Sequence, residues 1–131
     1  MTLADSNAAT VREYISAFLS EDYDTARSFL SETVSLTVPG RNPLSGERRG
    51  KDESVLYLQH MGELTQGTLR FEVRDVLAND EHVVVLFEPS ASRTGKDWTS
   101  RTVTVYRLVD AKIEEIVVYQ QDLYAFDAFM S

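Results

Sequence analysis

Asp122 closes the stretch "IEEIVVYQQD", directly behind Gln120 and Gln121, and two roles are open to a carboxylate there. Facing an apolar cavity, it would lose solvation, its pKa would rise, and it would shuttle a proton near neutrality. Facing solvent, it would cap the following "LYAF", as an aspartate at such a boundary commonly does. Period two puts Glu88 on one strand face with His82, Val84 and Leu86, and Arg101 on one face with Val103 and Val105. Turned into a pocket, Glu88 and Arg101 would orient a ligand or handle a proton, because buried charges need partners. At a rim they would lay their stems on the sheet and keep their charged heads in water. Tyr14 falls on an apolar helical stripe, as a core ring or as a hydrogen-bond donor to a substrate. His60 and His82 have no partner at metal-ligand spacing and the chain has no cysteine, so neither a metal nor a cofactor is expected, and thiol chemistry is excluded.

The stretch "VPGRNPLSGERRGKDESVLYL", residues 38–58, gathers turn formers around Arg41, Arg48 and Arg49. Its glycines Gly40, Gly46 and Gly50 match neither GxGxxG nor GxxxxGK[ST], so it reads as architecture at a pocket rim rather than a phosphate cradle. The three arginines read as solvated rim charges.

The elements that must position these groups follow from periodicity. Val11, Tyr14, Ile15, Phe18 and Leu19 predict a helix over about 6–19, capped by Asp5 or Ser6. Tyr23, Ala26, Phe29 and Leu30 predict a short second helix capped by Asp22. Val34, Leu36 and Val38 alternate with polar neighbours and predict a strand over 33–38, ended by Pro39-Gly40. A third helix runs from Gly50 or Asp52 to Leu64, and four sequential antiparallel strands follow near 68–78, 82–92, 98–109 and 112–121. The closing "LYAFDAFM" is too apolar for a disordered tail. This order predicts a single α+β domain over 1–131: helices packed on a strongly curved antiparallel or mixed sheet, forming a cone with an internal pocket. Trp98, Phe18, Leu36, Val38 and Gln120 are expected to line that pocket, with Glu88 at its edge, around a hydrophobic small molecule.

With 131 residues, 43% of them hydrophobic, one core is the expectation. The 21 acidic against 13 basic residues give a charge of -8, which disfavours nucleic acid as a partner. No apolar run reaches membrane-spanning length, and a cytoplasmic protein is expected. The middle strand, "HVVVLFEPSAS", is apolar on both faces while helices can cover only one, so a homodimer is expected through the other.

The order of elements, with "VPGRNPLSGERRGKD", "DVLANDEHVVVL", "RTGKDW" and "AKIEEIVVYQQDLYAFDAF", resembles the SnoaL-like proteins of the nuclear transport factor two-like and ketosteroid isomerase-like superfamily. The resemblance covers nearly the whole chain. It implies cyclase- or isomerase-type acid/base chemistry, without a cofactor, on a hydrophobic ring-containing molecule. Asp122 would be the proton shuttle, and Tyr14 or Arg101 would stabilise an enolate oxygen. The resemblance equally allows a domain that only binds a small molecule or dimerises. Where ketosteroid isomerases carry their base, on the first strand, this chain reads "TVSLTVPG", and Val117 and Val118 stand mid-way along the last strand.

Overall fold

The computed structural model describes residues 2–131. Helix α1 (Leu3–Leu19) begins ahead of the expected start because Thr2 caps it: the Thr2 hydroxyl accepts from the Asp5 N–H at 3.1 Å while the Asp5 carboxylate accepts from the Thr2 N–H at 3.2 Å. Asp5 thus closes a capping box from the third helical position instead of acting as the cap. Helix α2 (Tyr23–Ser28) is capped by Asp22, as its sequence predicts.

Strand β1 (Leu30–Val38) is followed by β2 (Gly46–Arg49), a short antiparallel partner inside the segment read as a loop. Sequence patterning could not find β2. It is an exposed edge strand, "GERR", with no apolar face to alternate, and its charges protect the edge. Helix α3 (Lys51–Leu64) then buries Ser54, Tyr57, Leu58 and Met61.

The remaining chain forms β3 (Arg70–Ala78), β4 (His82–Arg93), β5 (Lys96–Thr99), β6 (Thr102–Val109), β7 (Lys112–Gln120) and helix α4 (Leu123–Met130). The expected long strand over 98–109 is two strands because β4 changes partner along its length. His82 to Phe87 pair with β6, and Ser90 to Arg93 pair with β5. Pro89 lies between the two registers and has no N–H to give either ladder. Strand order is β2-β1-β7-β6-β4-β3 with β5 on β4, and every pairing is antiparallel except β1 with β7. The architecture is therefore α+β, helices on a curved, open, mixed sheet.

The inner face of the sheet carries Leu36, Val83, Val85, Phe87, Tyr106, Ile113 and Ile116, which meet Val11, Tyr14, Ile15 and Phe18 from α1. At roughly 25 cal/mol per Å² of apolar area removed from water, this shared core is the main stabilising term. No helix among the described residues is long and apolar enough to cross a membrane.

Candidate ligand pocket

Between the helices and the inner sheet face lies a cavity of about 60 Å³. Phe18, Phe71 and Phe87 form one aromatic wall, with centroids 5.8 Å apart for the first pair and 5.0 Å for the second. Helix α4 covers the cavity beside this wall: Trp98 on β5 stacks on Phe129 at 5.6 Å and tilts against Phe126 at 5.9 Å. Ile116 and Val118 of β7 complete the apolar lining.

Three phenols enter this surface from three elements. Tyr14 comes from the α1 stripe, Tyr57 from the buried face of α3, and Tyr106 from the inner face of β6. The Tyr14 and Tyr106 rings meet edge to face at 6.1 Å. Tyr14 and Tyr106 are each only 3% exposed. Burial pushes the Tyr57 hydroxyl up to about 12, against the Arg48 guanidinium, which favours the phenolate. Burial, reinforced by the neighbouring phenols, also holds the Tyr14 and Tyr106 hydroxyls well above the usual phenol range. At neutral pH all three are protonated donors. They can polarise or hold an acceptor oxygen and cannot serve as bases.

Arg48 is one of the residues that the sequence placed on a solvated rim, and the structure corrects that placement. Its guanidinium lies over the Tyr57 ring at 5.0 Å and donates to the Leu44 carbonyl at 2.7 Å. Residues 39–45, which Arg48 helps to hold, are also pinned by α4: the Asp127 carboxylate accepts from the Arg41 N–H and from Asn42 Nδ2, both at 2.8 Å.

Residues 11–116 match the family model described as the SnoaL-like domain. The chain belongs to the SnoaL-like family. An uncharacterised protein of Mycobacterium tuberculosis is 28% identical over 126 residues, 95% of this SnoaL-like chain and 96% of that one. Bal32a, from a soil-derived mobile gene cassette, has the same fold with a TM-score of 0.95 and 28% identity, over 99% of this chain and 100% of its own. A Xanthomonas campestris protein described as a polyketide cyclase superposes with a TM-score of 0.78 at 19% identity, over 99% of this chain and 100% of that one. At that identity the likeness speaks to the fold alone.

Measured against SnoaL-like expectations, the site residues divide cleanly. Tyr14, Phe18, Leu36, Trp98 and Gln120 line the cavity. Val38 is buried beside it without lining it. Asp122 is elsewhere: exposed, it caps α4 by accepting from the Ala125 N–H at 3.0 Å. A strand-end aspartate with four free helical N–H groups ahead of it finds its best partner there, not in an apolar cavity. Arg101 and Glu88 also lie outside. They sit on the outer sheet face, with the Arg101 Nε 3.6 Å from Glu88 Oε1, and the Arg101 side chain is 73% exposed. The sequence had each on the correct strand face, but strand alternation alone does not say which face is inward.

Tyr57, Tyr106, Thr102 and Thr104 line the cavity without having been singled out as site residues. A signal for three of them was present: Thr102, Thr104, Tyr106 and Leu108 alternate on one face of β6, and hydroxyls spaced along an apolar strand face are candidates for a pocket.

Proposed function

We propose that this SnoaL-like chain binds a hydrophobic, ring-bearing small molecule in the cavity and orients it by hydrogen bonds from Tyr14, Tyr57 and Tyr106 to an acceptor oxygen. The observation that carries this reading is the convergence of three buried, protonated phenols on a largely apolar cavity. Apolar walls with a few placed polar groups are the usual make-up of a small-molecule site. As folded here the cavity of about 60 Å³ has room for a handful of waters. Ligand sites run to about 300–1,000 Å³, so a guest must displace part of the wall, and α4, whose Phe126 and Phe129 pack on Trp98, is the part expected to move.

The test uses the chain's one tryptophan, Trp98, whose fluorescence reports on the pocket it lines. 4-Acetylbiphenyl, an apolar ketone, is expected to bind more tightly than biphenyl. Replacing any one tyrosine with phenylalanine is expected to erode that preference by about 0.5–1.5 kcal/mol, the worth of a neutral hydrogen bond. Equal binding of ketone and hydrocarbon by the wild-type chain would defeat the proposal.

A second reading has one observation in its favour, the retention of the phenolic protons at neutral pH. The same donors would stabilise the enolate oxygen of a bound ketone as its α-proton passes to water, the kind of step that isomerase and cyclase chemistry requires. Oxyanion donors are worth about 10²- to 10³-fold in rate each. Deuterium uptake into the acetyl group of 4-acetylbiphenyl, accelerated by the wild-type chain and lost in Tyr14→Phe, would support it. Uptake at the uncatalysed rate would leave binding as the function.

A further inference from the structure

Two polar groups in the cavity have no use in the contact just described. Among the described residues the Trp98 Nε1–H is buried with no acceptor within reach, and Gln120 Oε1 is equally shielded and unpartnered. Both residues line the cavity. Buried polar atoms without a partner are destabilising, a cost that phenylalanine and leucine at these positions would avoid. Indole donates only, whereas an amide can turn either its oxygen or its NH₂ toward a guest. Together they fit a hydroxyl or carbonyl.

Strand register separates these groups from the tyrosines. Gln120 pairs with Thr102 and Ile116 pairs with Tyr106 across β6 and β7. Thr102 and Tyr106 are four residues apart on one strand face, roughly 13 Å at the usual rise. Trp98 belongs to the Gln120 end, since it packs under α4, which begins three residues after Gln120. Tyr14, against Tyr106, belongs to the other. Between the two ends the register of β6 and β7 places Thr104 opposite Val118, one small hydroxyl beside an apolar side chain.

We propose that the pocket reads its ligand at both ends: an elongated, rigid, apolar molecule with an acceptor oxygen for the tyrosines and a hydroxyl or carbonyl, on its far end, for Trp98 and Gln120. This rests on the ligand-binding reading above and narrows it from any ring-bearing ketone to one oxygenated at both ends. Trp98 and Gln120 become specificity-determining residues, and α4, which covers them, becomes the cover over the far end of the guest.

The experiment is calorimetry on the full chain with two probes, 4-acetylbiphenyl and 4-acetyl-4′-hydroxybiphenyl, which differ only in the distal hydroxyl. The wild-type chain is expected to bind the hydroxylated probe about tenfold more tightly, equivalent to about 1.4 kcal/mol. In the Trp98→Phe, Gln120→Leu double variant that preference is expected to vanish, the variant binding its two probes with equal affinity. Gln120→Leu alone, without ligand, is expected to melt no lower than wild type, because it removes a buried group that has no partner. Equal wild-type affinities for the two probes, a preference that survives the double substitution, or a lowered melting temperature for Gln120→Leu would each overturn the two-ended reading while 4-acetylbiphenyl binding stands. If the wild-type chain binds neither probe, the ligand-binding reading falls and this one with it.

Discussion

At the scale of single residues, chemistry here follows burial more closely than residue type. Asp122 has the side chain of a proton shuttle and spends it on the Ala125 N–H. Asp122→Ala is therefore expected to lower stability by about 1 kcal/mol, the ordinary cost of losing an N-cap, and to leave probe binding unchanged; urea titration and calorimetry read the two effects. The phenols have a pH signature of the opposite kind. Burial raises their folded-state pKa values above the ordinary tyrosine value of 10.0, so the stability linked to their protons is fully present below pH 10. Above that the unfolded chain sheds protons that the folded chain keeps, and stability falls with rising pH. The loss is expected to begin near pH 10 and continue past about 12, the value to which Tyr57 is pushed. Absorbance titration should show three of the six tyrosines ionising only as the chain unfolds, and ionisation of all six in the folded state would contradict the buried assignment.

Among the elements, α4 is held by its buried Phe126, Phe129 and Met130 and by hydrogen bonds at its last turn and at Asp127. Its last carbonyls accept from Arg93, at 2.7 Å to Phe129, and from Lys96, at 2.9 Å to Ala128, cations where the helix dipole favours them. Its Asp127 carboxylate holds the loop at Arg41 and Asn42, and this approach explains Gly40: φ is +101° and a Cβ there would come within 2.2 Å of Asp127 Oδ1. Gly40→Ala is expected to cost about 1–2 kcal/mol from the left-handed backbone alone, plus a steric share. In an Asp127→Ala background only the backbone share should remain, so a double-mutant cycle by chemical denaturation is expected to be sub-additive, the double variant costing less than the sum of the two single ones. Additive effects would mean that loop and helix are not in contact.

On the scale of the whole molecule, the outer sheet face is left open. Val84 faces Leu77 on β3 and Val105 on β6, Leu86 pairs with Val103, and Val105 pairs with Val117. Leu77 and Tyr119 remain 51% and 55% exposed. Charged pairs border the patch, with Glu88 between Arg74 and Arg101. We propose that a second copy covers this face, an isologous contact in which each copy presents the same patch. Sedimentation should then give a dimer at micromolar concentration and a monomer for Val105→Glu, with the melting temperature of the variant falling as the partner is lost. A wild-type monomer would remove the proposal.

Periodicity and turn chemistry determined the order of the longer helices and strands and the α+β architecture, because a buried stripe or an alternating face is written locally in the residues that form it. Tyr14, Phe18, Leu36, Trp98 and Gln120 were legible as pocket residues for the same reason. Three things were decided only by the tertiary structure. The edge strand β2 exists because β1 offers it a ladder, not because "GERR" prefers extension. Strand β4 exchanges β6 for β5 at Pro89, a choice made by distant partners. And Glu88 and Arg101 face outward while Tyr57 and Tyr106 face inward, because alternation divides a strand into two faces but only the packing of helices on one of them creates an inside.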